Sequence, residues 1–289
     1  MVATGTLSKW RTATVIAAAA ILLVACKQTG DAGTSPGASA APGRSAAAAP
    51  SSAVSNALEL VALGDSETTG SGDRSGRGWV EYYAERIRAG TGREVNVTNL
   101  ARNGTRSLDL VMAVQQAADV RNAIAGADIV VLGIGGADVN VGDSLLEAGN
   151  CGGTDCYDPS IAAYGANIDA IAAEIVKLRG GRPTVLRAIT QPNALTGAEA
   201  VIPPFLAPVA TEVGVHVARG FNAATCAAMD AHGGACVDVL TAINGPDGTA
   251  DGYKSGLLNI ADCCYPSERG HRMIADLLYK TGLAPLPGQ

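Results

Sequence analysis

From residue 58 onward the chain alternates short apolar runs, rich in β-branched residues, with longer stretches of helical spacing, and this alternation restricts the fold more than any other feature. The runs are LELVAL (58–63), EVNVTNL (94–100), DIVVLGI (128–134), PTVLRAI (183–189) and CVDVLTAI (236–243), and they predict five strands. Between them lie GWVEYYAERIRAG, SLDLVMAVQQAADVRNAIAG, IAAYGANIDAIAAEIVKLRG and PFLAPVATEVGVHVARGFNAATCAAMDAHG, and SERGHRMIADLLYKTG closes the pattern. Each has helical spacing and most end in glycine, which stops a helix without steric cost. Parallel strands need crossover connections, so strict alternation predicts an α/β fold: a three-layer α/β/α sandwich around a five-stranded parallel sheet. In such folds ligands meet the C-terminal ends of the strands.

The first quarter of the chain has a different character. Residues 1–26, MVATGTLSKWRTATVIAAAAILLVAC, carry Lys9 and Arg11 ahead of an apolar run from about Ala13 to Ala25. That run is shorter than the roughly 20 residues of a spanning helix, and it ends in small residues, so it reads as an export signal. LVAC (23–26) resembles the bacterial lipobox, which implies lipidation of Cys26 and anchoring to the outer face of the bacterial cell membrane; ordinary secretion with an incidental Cys26 is the alternative. Residues 27–57 are almost wholly Ala, Gly, Ser, Pro and Thr, with Val54 as the one larger apolar side chain before Ala57. Such a segment cannot offset the entropy of ordering and is expected to be a disordered stalk, leaving 58–289 as the folded domain. Loss of Lys9 and Arg11 takes the net charge from −6 to −8, and an acidic chain without a basic cluster is a poor nucleic-acid binder.

Seven cysteines fit an exported chain. Setting Cys26 aside leaves Cys151, Cys156, Cys226, Cys236, Cys263 and Cys264 as disulfide candidates, and their spacings match no common zinc pattern. Cys226 falls late in the helix before strand 5 and Cys236 at the start of that strand, so these two are expected to pair. The remaining four lie at the opposite edge. A direct bond between neighbours Cys263 and Cys264 is one option, strained with Cα atoms about 3.8 Å apart, and bridges between the 142–160 insertion and the last block are the other, which avoids that strain.

Four unusual segments fall at the same sheet edge: GDSETTG (64–70) after strand 1, NLARNGTRS (99–107) after strand 2, GGADVN (135–140) after strand 3, and DCCYPSERGH (262–271) after strand 5. In this order they resemble the SGNH (GDSL) hydrolase family across the whole of the domain from Leu58, in a bacterial lipoprotein form. The resemblance implies a flavodoxin-like SGNH hydrolase fold and serine ester hydrolysis of an acyl ester or a glycan acetyl ester. It calls for no cofactor and no metal, a small-molecule or glycan ester ligand, and a monomer. It makes Ser66 the nucleophile, with the backbone N–H groups of Ser66 and Gly104 and an asparagine side chain holding the oxyanion. It makes Asp262 the acid that orients a catalytic histidine.

Two positions depart from the family pattern. Ala137 stands where the oxyanion asparagine belongs, ahead of the expected Asp138, with Asn140 two residues from Asp138 and within reach if the segment is extended. Tyr265 stands where the histidine belongs. Losing one oxyanion donor costs roughly 10²- to 10³-fold in rate. Losing the histidine of a serine triad costs on the order of 10⁶-fold, and a phenol, which ionises near pH ~10, is a poor acceptor for the serine proton. His216 and His232 are expected in packing or surface roles, which leaves His271 and Glu67 as the substitutes within reach of the edge. Two functions therefore stay open: an ester hydrolase with altered proton transfer, and an inactive SGNH-fold protein that binds a ligand at the cell envelope.

Overall fold

A computed structural model describes residues 57–287. The expected export signal, Cys26 and residues 27–56 of the expected stalk lie outside the described residues. Within the described part, five parallel strands form one sheet: β1 (Leu58–Gly64), β2 (Val95–Asn99), β3 (Ile129–Gly133), β4 (Val185–Ile189) and β5 (Ala235–Val237), in the order β2-β1-β3-β4-β5. The helices are α1 (Ser66–Thr69), α2 (Gly78–Thr91), α3 (Ser107–Gln116), α4 (Ala118–Gly126), α5 (Asn140–Glu147), α6 (Asp158–Arg179), α7 (Ala210–Ala231), α8 (Val239–Asn244) and α9 (Glu268–Lys280). A short antiparallel pair, β6 (Leu258–Asn259) and β7 (Tyr265–Pro266), precedes α9. None of the described helices is long and apolar enough to cross a membrane.

The strands are apolar on both faces because both faces are covered. Along β1, Leu58, Leu60 and Ala62 pack with Trp79, Tyr83 and Ile87 of α2 and Ile274 and Leu278 of α9. The alternate residues Val61 and Leu63 pack on the opposite face with Leu110, Ile124, Ile168 and Phe221 of α3, α4, α6 and α7. Each fully buried side chain of this size contributes roughly 1.5–3 kcal/mol by leaving water, so the period-two pattern fixes the register of the sheet. The buried Arg187 of β4 holds the C-terminal segment, donating to Thr281 Oγ1 at 2.9 Å and to the carbonyls of Gly282 and Ala284 at 3.3 and 3.2 Å.

Three elements differ from the sequence expectation. The helix expected over 107–126 breaks at Ala117, which is extended, and the Arg121 guanidinium fills the vacated end of α3 by donating to the carbonyls of Val114 and Gln115. The fifth strand stops at Val237 instead of running to 243. Asp238 accepts the Thr241 N–H, and Thr190 Oγ1 accepts those of Val239 and Leu240, so the start of α8 is capped and the chain turns helical. The pair β6–β7 was not legible at all, since two-residue strands carry no periodicity.

Candidate active site

The strand order reverses between β1 and β3, and the two segments that leave this switch point form the centre of the site. Gly64 has to be glycine: a Cβ there would lie 1.9 Å from the Gly133 carbonyl oxygen. Asp65 then caps α1. One carboxylate oxygen accepts the Glu67 N–H at 3.1 Å, and the other accepts the N–H groups of Gly135 and Gly136, both at 2.9 Å. Burial pushes the Asp65 carboxyl up to about 6, against the pull of those backbone donors and with the help of the Asp138 charge. Ser66, half-buried, is the first residue of α1.

The end of β2 and the segment after it are tied to the end of β1 by one bond and to α1 by two. Arg102 N–H reaches the Gly64 carbonyl at 3.1 Å, Asn99 Nδ2 the Thr68 carbonyl at 2.9 Å, and Thr69 Oγ1 donates to Asn103 Oδ1 at 2.7 Å. This brings the Gly104 N–H to 3.4 Å from Ser66 Oγ. Gly104 sits at φ +76 with open space where a Cβ would go, so it is the backbone conformation that favours glycine.

The segment after β3 does not supply a third donor. Residues 136–139 form a turn, closed by Asp138 N–H to the Gly135 carbonyl at 3.0 Å, and Asn140 begins α5. The expectation of an extended segment that aims Asn140 into the site is therefore corrected: its side chain is exposed and makes no hydrogen bond among the described residues. Ala137 brings no polar group. Asp138 is occupied elsewhere, accepting the Ser107 N–H at 3.0 Å and the Ser107 hydroxyl at 2.5 Å, which anchors α3 to the turn.

The last block places Tyr265 on β7, opposite Asn259 of β6, with its Cβ against Gly72. Asp262 ends a short 3-10 turn and is exposed. The side chains of Asp262 and Tyr265 make no hydrogen bond to each other, to Ser66 or to any other described residue. His271 is fully buried, and both of its ring nitrogens are used: Nδ1 accepts the Trp79 N–H at 3.2 Å, and Nε2 donates to the Ser71 carbonyl at 2.8 Å. Burial lowers its pKa, which keeps the ring neutral in this role. His216 pairs with Asp158 and His232 with Asp169, both at 2.8 Å and both on α7 or its end. Among the described residues, then, no histidine bonds to Ser66.

Glu67 is the unexpected member of the site. Its side chain is buried beside Asp65, its Oε1 has no hydrogen-bond partner among the described residues, and burial pushes its carboxyl up to about 8, helped by the Asp65 charge. Near neutral pH it is therefore held mostly as the neutral acid, and no hydrogen bond joins its side chain to the Ser66 hydroxyl.

The cysteines pair as Cys151–Cys156, Cys226–Cys236 and Cys263–Cys264. The second pair is as expected. The bridges between the insertion and the last block are not formed: the insertion closes on itself, and a cis peptide brings the Cα atoms of Cys263 and Cys264 to 3.0 Å. Cys151, Asp155 and Cys156 lie within ligand spacing of one another, but both sulfurs are bonded in the disulfide. The residues that sequence reasoning left without a role are Asp65, Asn99 and Asn103, which hold the site together. The only signal for them was their position at strand ends.

A five-stranded parallel sheet in this order, with a serine after β1 and a glycine N–H facing its hydroxyl, defines an SGNH-type α/β hydrolase domain. Residues 62–273 match the GDSL-like lipase/acylhydrolase family, and the chain belongs to that family. A curated relative, the uncharacterized protein YpmR of Bacillus subtilis, is 39% identical over 83 residues, 28% of this chain and 32% of that protein, so the match spans about a third of its length. The lipase Lip_vut3 from a goat rumen metagenome has a similar fold, with a TM-score of 0.64 at 19% identity over 78% of this chain and 98% of the other. An extracellular lipase from Streptomyces rimosus is similar with a TM-score of 0.53 at 21% identity, over 77% of this chain and 99% of the other.

Proposed function

We propose that this chain is an ester-binding member of the family in which the acceptor half of the site is kept and the base is lost. Its ligand is an acyl ester or a glycan acetyl ester, and its turnover is residual. Ser66 and Gly104 would receive the ester carbonyl, with Tyr265 in the histidine position and Ala137 in the oxyanion-asparagine position. The observation that carries this reading is the lack of any bond from Asp262 or Tyr265 to Ser66 or to each other, with both nitrogens of His271 committed to backbone groups. The Ser66–Gly104 contact favours a second reading, an ester hydrolase with an altered route for the serine proton. A fluorophosphonate probe, which labels only an activated serine, separates the two. The expected result is negligible labelling of the native chain and measurable labelling of Tyr265→His. Rapid labelling of the native chain that Ser66→Ala abolishes would favour the hydrolase.

The domain is proposed to act at the outer face of the cell membrane, held by a lipid on Cys26. The support is the apolar run ending in LVAC and the Ala/Gly/Ser/Pro-rich segment that follows. Intact-mass analysis of the envelope-bound protein should show the lipid on Cys26, and Cys26→Ser should abolish the retention. An unlipidated Cys26 in the mature chain would return the protein to ordinary secretion.

A further inference from the structure

One groove carries a charge opposite to that of the chain as a whole. The net charge is −6, yet a cavity of about 520 Å³ between the loop after α1, β6 and the first turn of α9 is walled by Arg74, Arg269 and Arg272. Glu268 is the one acid among its described lining residues, and Arg272 occupies it, with Nε at 3.1 Å and Nη2 at 2.8 Å. Arg272 is further held with its guanidinium carbon 4.1 Å from the Tyr82 ring centroid, so the Glu268–Arg272 pair is a fixed, mutually neutralised wall.

The other two arginines have donors to spare. Arg74 is exposed and makes no hydrogen bond or ion pair among the described residues. Arg269 uses Nη1 on the Ser255 carbonyl at 3.0 Å, and its remaining N–H groups have no described partner. The floor is apolar: Leu258 is buried, and Ile260, a large aliphatic side chain, is 45% exposed. Planar guanidinium forks match the oxygens of phosphate or carboxylate, and two of them facing one concave space select an oxyanion. Exposed arginines are commonly just solvated. Here they converge on a cavity whose only acid is neutralised and whose floor suits a short hydrocarbon.

We infer that this groove binds a phosphate-type oxyanion borne by a ligand with an adjoining apolar group, at a site separate from Ser66. Neither Ser66 nor Gly104 lines it, so it stands whether or not the serine turns over. It adjoins the last block, because Asn259 in its wall pairs with Tyr265 and Gly72 lies against the Tyr265 Cβ.

The test compares the full chain with its Arg74→Ala/Arg269→Ala variant, both carrying the same N-terminal segment. Thermal melts are run in increasing inorganic phosphate at constant ionic strength, and co-sedimentation with phosphatidylglycerol or phosphatidylcholine vesicles. Each chain's melt without phosphate serves as its own baseline, since the variant also loses the bond from Arg269 to the Ser255 carbonyl. A saturable phosphate-dependent rise in Tm, weakened at least tenfold in the variant, supports the site with free phosphate as a source. Phosphatidylglycerol-specific sedimentation lost in the variant supports it with a lipid headgroup as the source. Native and variant chains that behave alike in both arms would overturn it.

Discussion

The backbone N–H of Gly104 faces the hydroxyl oxygen of Ser66 at 3.4 Å, so one oxyanion donor is in place before any ligand arrives. Preorganised donors of this kind act on the charge that develops on the ester oxygen. They do nothing for the proton on Ser66, which needs an acceptor. On the proposed reading, the site retains the half of the chemistry that is built from backbone and has lost the half that is built from side chains.

The two departures should interact when repaired. Ala137→Asn alone is expected to leave ester turnover unchanged, because on the proposed reading Ser66 lacks a base for the added donor to assist. In a Tyr265→His background the same change should raise kcat by about 10²- to 10³-fold over the single repair, the usual worth of one oxyanion donor. Steady-state kinetics on the native chain, the two single variants and the double variant measure this coupling. Equal gains from Ala137→Asn in both backgrounds would contradict it.

His271 should matter for stability instead of chemistry. His271→Ala strands the buried Trp79 N–H and Ser71 carbonyl, at about 1–3 kcal/mol for each unpaired group, so a loss of about 3–5 kcal/mol is expected once the vacated space is included. Its folded pKa lies below the ordinary histidine value of 6.5. Its contribution is therefore present above pH 6.5 and is lost as the pH falls toward the folded value. Denaturant unfolding at pH 7.5 and pH 5 reads both effects.

Glu67 sets the opposite slope on the alkaline side. Its carboxyl is raised from 4.5 to about 8 in the fold, so stability declines as pH rises between these values and is lost through the folded pKa. Asp65 acts in the same sense, but its carboxyl is raised only to about 6, so between pH 6.5 and 8 the Glu67 contribution is the one that still changes. At about 1.4 kcal/mol per unit this amounts to a few kcal/mol. Melting curves of Glu67→Leu should be flatter over that window than those of the native chain, and should lie above them at pH 8.

The strand-end segments were legible because close approach and charge demand particular residues there. Gly64 must pass the Gly133 carbonyl, and Asp65 must hold two glycine amides, so the sequence of that turn tolerates little change. The two-face burial of β1, β3 and β4 was legible for a similar reason, since every second side chain meets a different helix layer. The pairing of Cys226 with Cys236 was legible from the topology, whereas that of the other four cysteines was not, because four cysteines at one edge admit three pairings that residue identity does not separate. Nor was the turn that precedes Asn140, for Asp138 N–H to the Gly135 carbonyl is a backbone bond open to most residues. The unpaired Glu67 carboxyl was hidden because its burial arises from packing between elements far apart in the chain.

The disulfide between α7 and β5 should contribute most among the three. Cys226 and Cys236 are 10 residues apart, and closing such a loop in the unfolded chain is worth about 2–3 kcal/mol, more than the five-residue separation of Cys151 and Cys156 provides. Replacing Cys226 and Cys236 by serine should lower the unfolding free energy by that amount. Peptide mapping under non-reducing conditions should recover the three pairs described.

Whether Ser66 lacks a working base is read from kcat/KM for a short-chain p-nitrophenyl ester, measured on the native chain beside Ser66→Ala. The expected result is a native value within a few-fold of the Ser66→Ala value, with Tyr265→His rising above both. A native value 10³-fold or more above Ser66→Ala, on the scale that triad members supply, would contradict the lack of a base.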